Sequence, residues 1–422
     1  MKTSNSIKGI LLGILFLFPV LSLSAFSTQP DSSTYVSYQG FVKNAKTNEL
    51  LSFASITLDK SSTATVSNID GEFTIKVDNN NKAENLNVRY IGFKNKSLAL
   101  SSIDSKKILT IELEPVTEFI TELTIRPTNA AEIISNVLRN ISLNYSTDPV
   151  MMTGFYRETV KNRRDYVSIS EAVVDIYKSP YNSDVQFDQV KIDRGRKSTN
   201  VTKMDTLLVK MQGGPTISLM LDIVKNPYTL FTNEFEKIYE FNVENLVSIN
   251  DRLHYVIGFK QRSYIDEPYF FGKFYIEIDR LAISEIEFSL NLDNKEEASR
   301  IFIKRKPAGV RVTPLKTTYR AIYTIQDNKW FFNYGRAEVK FKLNWKKKLF
   351  NTTYSLMSEI AITDRNTEEA TKINRKARFN KGDIMEEEVN AFFDPEFWGD
   401  YNLIEPDESI EQAIKKLYRQ YK

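Results

Sequence analysis

"SNIDGEFTI", residues 67–75, decides how the first part of this chain is read. Asp70-Gly71-Glu72 offers either an oxygen-rich cation site or a tight turn between two strands. A calcium loop needs several oxygen ligands, including a late bidentate Glu. Here Asn68, Asp70 and Glu72 are followed by no further acid until Asp78. Gly71 supplies the positive φ that a tight hairpin demands. The stretch is therefore read as a hairpin turn with no metal site, and the residues on either side of it as strands.

Working outward, Gly40-Phe41-Val42, Ala54 to Leu58, Phe73 to Val77, Leu86-Asn87-Val88 and Ile108 to Ile111 alternate or cluster apolar residues at strand spacing. Strands this short and close together indicate a small sandwich. Its fingerprint is Gly40-x-Val42, Ala54-x-Ile56, Ser67-Asn68-x-Asp70-Gly71-x-Phe73 and Tyr90-Ile91-Gly92-Phe93. These residues resemble the carboxypeptidase-regulatory-like, transthyretin-like β-sandwich, which recurs in Gram-negative envelope proteins, often ahead of outer-membrane receptors. Ser67-Asn68 departs from the Thr-Asp usual there. The resemblance implies an accessory module without peptidase chemistry.

Beyond the sandwich, Asn129 is placed to cap a helix, with Glu132 three residues on. Ala130, Ile133, Ile134, Val137, Leu138 and Ile141 recur at helical spacing, a packing stripe. From Met151 to Asp364 the pattern is of long antiparallel strands. Ala337, Val339, Phe341, Leu343 and Trp345 share one parity, and Arg336, Glu338, Lys340, Lys342 and Asn344 the other, before a turn at Lys346-Lys347-Lys348. This predicts a meander with one apolar and one wet face. An outer-membrane barrel also alternates, but this chain ends in a charged helix and not in an aromatic strand. "YFFGKFYIEIDRLAISEIEF", residues 269–288, resembles a hairpin of the lipoprotein-carrier-like half barrel. Phe155-Tyr156-Arg157-Glu158 and the tail resemble a recurring family of exported proteins that begins with the same sandwich and carries no established chemistry.

"MQGGPTISLMLDIVKNPYTLF", residues 211–231, interrupts the strands. Gly213-Gly214-Pro215 breaks a strand, and Ile217 to Val224 is read as a short apolar helix lying across the concave face. No Gly-Lys-Ser/Thr follows, so it is no phosphate loop. Its tight boundaries favour a fixed core element over a mobile lid. The residues that would face an apolar ligand there are Leu219, Met220, Ile223, Tyr269, Phe271 and Trp330. In the tail, Asp407 or Ser409 caps a helix with a stripe of Ile410, Ala413, Ile414, Leu417, Tyr418 and Tyr421.

Chemistry is sparse. The 422 residues include no Cys, which excludes disulfides and thiolate sites, and one His. His254 falls on the polar parity of its strand and is expected at the surface. No Gly-x-Ser-x-Gly elbow is present. Glu158, Glu171 and Asp175 lie on neighbouring strands where two carboxylates could hydrolyse glycosides. Arg157, Lys161 and Arg163 beside them favour an ion-paired surface instead. Net charge is +3, from 57 basic and 54 acidic residues, which does not indicate nucleic-acid binding. Lys2 and Lys8, the apolar run from Ile10 to Leu23 and small residues up to Ala25 form a secretory signal peptide.

The expected fold is mainly β with some α: a seven-stranded-type β-sandwich, then a large antiparallel, half-barrel-like sheet with a few helices. The expected segments are a signal peptide (1–25), the sandwich (34–115), a connecting strand and helix (116–149), the sheet (150–364) and a charged segment with a terminal helix (365–422). The expected role is non-catalytic: binding or assembly in the periplasm or at the periplasmic face of the outer membrane, with envelope proteins as partners. No catalytic residue, cofactor or metal is expected. The alternatives are a carrier of an apolar ligand and a glycan-active enzyme.

Overall fold

The computed structural model describes residues 34–116, 129–183, 186–199, 211–232, 234–249, 252–303, 308–346, 350–391 and 397–418. The signal-peptide segment, residues 117–128 of the connecting segment, Lys347 and Lys348 of the lysine turn and Tyr421 of the tail stripe lie outside them.

The first seven strands are β1 (Tyr35–Asn44), β2 (Ser55–Leu58), β3 (Ala64–Val66), β4 (Glu72–Asp78), β5 (Asn85–Arg89), β6 (Lys96–Ala99) and β7 (Leu109–Leu113). They form two sheets, β4-β1-β7 and β3-β2-β5-β6. Val42, Ile56, Phe73, Ile75, Leu86, Val88 and Ile111 interleave as their core. Gly71 has φ 73°, as expected of the turn. The turn is not a hairpin, however. β3 and β4 belong to different sheets, so it carries the chain across the sandwich. Asn68 organises it, its Oδ1 accepting from the backbone N–H of Asp70 and of Glu72, both at 2.9 Å. A Cβ on Gly71 would stand 2.9 Å from the Val42 carbonyl oxygen, so glycine is also needed for close approach.

The large sheet contains β8 (Val150–Asn162), β9 (Asp165–Lys178), β10 (Gln189–Thr199), β11 (Tyr239–Ile249), β12 (Arg252–Gln261), β13 (Phe270–Glu277), β14 (Ala282–Leu290), β15 (Val310–Gln326), β16 (Lys329–Trp345), β17 (Thr352–Asn366) and β18 (Asn390–Ala391). The order is β11-β12-β13-β14-β15-β16-β17-β8-β9-β10-β18, with two free ends, so the barrel is not closed. Pairing is antiparallel except between β10 and the short β18. Register shifts, for example at Val243/Asn245, Tyr275/Ile276 and Ile322/Tyr323, mark bulges. Bulges add local bend and twist, which curves so long a sheet.

One face is packed as the periodicity predicts. The helix Ala130–Arg139, capped by Asn129, and the 211–231 insert lie against Tyr156, Phe274, Ile286, Phe332 and Ile360. The other face is not wet throughout. Val66 of the sandwich, with Trp398 and Ile404 of the tail, packs on Phe155, Val173, Tyr334 and Ala361. Phe53 stacks on Tyr334 with ring centroids 5.6 Å apart. The terminal helix Glu408–Tyr418, capped by Asp407, buries Ile410, Ile414 and Leu417 against Ile169 and Met357. Middle strands are therefore covered twice, and β8 is buried without alternation from Gly154 to Val160 apart from its ends. Residues from Tyr35 onward form one compact unit, with the sandwich docked on the sheet.

Candidate functional site

The insert is shorter in its helix than expected. An α-turn spans Gly214–Ser218 and a 3-10 turn Leu219–Leu221, and the chain turns away before Val224. Ile217 is partly exposed, while Leu219, Ile223 and Val224 are buried in the main core. Asp222 is buried with them. Its carboxylate accepts from the hydroxyls of Tyr181 at 2.8 Å and Tyr323 at 2.9 Å. It also pairs at 2.6 Å with Lys178 Nζ, which pairs at the same distance with Asp188. Burial alone would lower the Lys178 pKa. The two aspartates outweigh it and hold the ammonium above the usual lysine range. Sequence reading missed this lock, although an acid inside the apolar run Leu219–Val224 was its signal.

Of the six residues expected to face an apolar ligand, Leu219, Ile223, Tyr269 and Trp330 are brought together in or against the main core, and Phe271 is not among them. Leu219, Ile223 and Trp330 are buried in the core, and Met220 and Tyr269 are half-buried. Phe271 is exposed elsewhere and lines a groove on the opposite face.

Two of the three strand carboxylates, Glu171 and Asp175, are ion-paired as expected and Glu158 is not; Glu171 is moreover buried and not at the surface. Arg157 holds Glu171 at 2.8 Å and Glu359 at 3.2 Å, and donates to the Ile404 carbonyl of the tail at 2.8 Å. Arg196 meets Glu171 at 2.9 Å, and Arg336 meets Glu359 at 2.7 Å. Burial would raise the Glu171 pKa; the two arginines outweigh it and keep it below the usual range. Charges expected in water are buried because the sandwich and tail dock over them. Each is matched, since an unpaired charge there would be costly.

Glu158 points to the insert side, away from Glu171. It accepts from Tyr156 Oη at 2.7 Å, and burial, reinforced by Glu386, pushes it up to about 8. Asp175 is half-exposed and pairs with Lys191 at 2.8 Å. The three acids thus form no common site. His254 is a correction too: it is 0% exposed. Its Nδ1–H donates to the Arg252 carbonyl at 2.9 Å, and burial lowers its pKa to about 4. Among the described residues, no group of three or more His, Asp or Glu could hold a metal.

What opens to solvent is a long groove on the polar sheet face, walled by the sandwich and the terminal helix. One part, of about 680 Å³, lies between Asp70, the β15–β8 strands and Ser409. The next, of about 1190 Å³, runs over β11–β16 past Phe53 and Phe271. Ile69, Lys316, Arg336 and Glu338 line both.

Residues 38–125, a span that takes in most of the sandwich, match the model of the CarboxypepD_reg-like domain. No curated protein matches the chain. Among solved structures, a DUF1329 family protein from Desulfovibrio piger is 8% identical, over 58% of this chain and 95% of that one, with a TM-score of 0.25. The MucA/MucB complex of Pseudomonas aeruginosa is 9% identical, over 58% and 96%, at 0.19. A LolA superfamily protein from Nitrosomonas europaea is 10% identical, over 58% and 98%, at 0.17. These likenesses are too faint to bear on function, and the fold is defined by the strand order above.

Proposed function

We propose that this is a non-catalytic binding protein of the cell envelope, exported to the periplasm, and that its ligand or partner sits in the groove on the polar sheet face. One observation carries the reading. Ile69 (49% exposed), Phe271 (46%) and Leu315 (42%) are large apolar side chains left in solvent, and all three line that groove. Clustered exposed apolar residues rimmed by charge mark binding surfaces. On the opposite face Leu219, Ile223 and Val224 of the insert are buried in the main core, which supports seating the ligand on the polar face.

The non-catalytic part of the proposal is supported by the locked state of the reactive groups. Glu171 and Glu359 are tied to arginines, and His254 is enclosed. Export is supported by the order Lys2, Lys8, apolar run and Ala25. Among the described residues no helix is long and apolar enough to cross a membrane, which says nothing of a β-barrel. Placement at the outer membrane rests on the resemblance of the sandwich to receptor-associated modules.

The test is capture from envelope membranes by the purified protein. Capture should be lost in Phe271→Arg/Leu315→Arg and kept in Ile108→Arg, which alters an exposed residue of the sandwich outside the groove. Equal capture by both variants would remove the groove as the seat.

A further inference from the structure

The smaller part of the groove, of about 680 Å³, has lysines set side by side on its floor. Lys316 on β15 stands directly opposite Lys340 on β16. The same transverse row continues through Ser355 on β17 to Lys161 on β8 and Tyr166 on β9. All five residues line the groove. Like charges directly opposed across a ladder destabilise a sheet, so this row invites an explanation beyond folding.

The four acids that line this part of the groove have partners of their own, and none is paired with Lys316 or Lys340. Asp70 Oδ2 accepts from the Glu408 backbone N–H at 3.2 Å. Asp407 caps the terminal helix, accepting from Ile410 N–H at 2.8 Å. Glu408 accepts from Gln412 at 2.7 Å, and Glu338 is paired with Arg336. Lys161 lies 4.1 Å from the centre of the Tyr166 ring. Among the described residues, Lys316 and Lys340 have no acid within ion-pair distance, and both are exposed. Neighbouring strands are about 4.8 Å apart, so the two ammonium groups can close on one anion between them.

From Lys316 the groove passes to Leu315, Ile69 and Phe271, the exposed apolar residues already described. Taking the groove as the ligand seat, we infer that it binds an anionic amphiphile, a phosphate monoester headgroup on Lys316 and Lys340 with its apolar chain along Leu315, Ile69 and Phe271. Phosphate is favoured over carboxylate because a monoester carries about −1.5 to −2 charges at pH 7, which matches two lysines. Lysine meets phosphate as a point charge and needs no bidentate geometry.

The probes are dodecyl phosphate below its micellar range, inorganic phosphate, dodecyl maltoside and hexaglutamate, titrated calorimetrically into the mature chain at low salt. Dodecyl phosphate should bind at least tenfold tighter than the other three. Lys316→Glu/Lys340→Glu should weaken it at least tenfold with unchanged melting, and Leu315→Ala/Phe271→Ala should weaken it without altering the response to inorganic phosphate. Lys106→Glu/Lys107→Glu, on an exposed sandwich loop, controls for net charge. Equal binding of dodecyl maltoside would overturn the role of charge, and equal binding of inorganic phosphate the role of the apolar floor. Tighter binding of hexaglutamate would replace the amphiphile with an acidic peptide. Should envelope capture depend on the groove while the lysine variants bind dodecyl phosphate normally, this inference fails and the groove remains the seat. Should capture not depend on the groove, the functional reading fails first.

Discussion

Glu158 is a buried acid whose hydrogen-bond donor is Tyr156 and whose charged neighbour is the like-charged Glu386. Its pKa rises from 4.5 to about 8 on folding. A raised folded pKa means that the native state holds the proton more tightly. Its contribution is complete below about pH 4.5 and is lost as pH rises towards 8. Glu158→Gln keeps an acceptor for Tyr156 and cannot ionise. Denaturation midpoints should therefore fall between pH 5 and 8 in the wild type and fall less in the variant. His254 acts in the opposite sense: its pKa drops from 6.5 to about 4, so its contribution is lost on acidification through that window. Equal pH slopes for wild type and Glu158→Gln would show that the carboxylate is ionised throughout. At Gly71 the requirement is geometric. A β-branched residue at φ 73° and 2.9 Å from a carbonyl should cost more than the ~1 kcal/mol of milder glycine replacements. Thermal melting of Gly71→Val checks this, and an unchanged midpoint would remove the turn from the folding requirements.

At the scale of elements, the sequence announced strands and helices through periodicity, and these are the parts that were legible. The 130–139 stripe, its Asn129 cap and the Asp407-capped tail helix follow from local rules. The buried charges were not legible, because alternation reports which side of a strand is polar and not what later docks there. Arg157, Glu171 and Glu359 sit on the polar parity and are enclosed only once the sandwich and residues 397–406 arrive from distant sequence. Asp222 is the same case on the other face, where Tyr181 and Tyr323 come from either side of the insert in sequence. The insert's fixed character leads to a direct expectation. Leu219→Asp would place an unpaired charge in the core and should prevent folding, whereas Leu219→Ala should cost about 2–5 kcal/mol by cavity formation. Chemical denaturation measures the second. A folded Leu219→Asp protein of ordinary stability would show that the insert is loosely held.

At the scale of the molecule, the sandwich motif told of a module but not of its seat. Phe53 against Tyr334, the guanidinium groups of Arg320 and Arg336 over the Phe53 ring, and Ser62 bonded to Asp364 join sandwich and sheet. Tail residues bridge both, Thr65 donating to the Leu403 carbonyl at 2.7 Å while Arg157 holds Ile404. Unfolding should accordingly be a single transition, coincident by far-UV circular dichroism and by tryptophan fluorescence, since Trp330, Trp345 and Trp398 all lie outside the sandwich. Phe53→Ala should separate the two signals by loosening the sandwich first. Two separate transitions in the wild type would show that the contact is weak.

The groove exists because the sandwich and tail occupy only part of the polar sheet face, and the claim that a ligand sits there, not under the insert, is open to one direct comparison. The chain has no cysteine. A photoreactive crosslinker can therefore be placed at a single position, on Phe271→Cys in the groove or on Met220→Cys in the insert, and each protein illuminated with envelope extract. A product at Phe271→Cys that is absent at Met220→Cys is the expected result. A product at Met220→Cys alone would place the ligand beneath the insert and contradict the assignment.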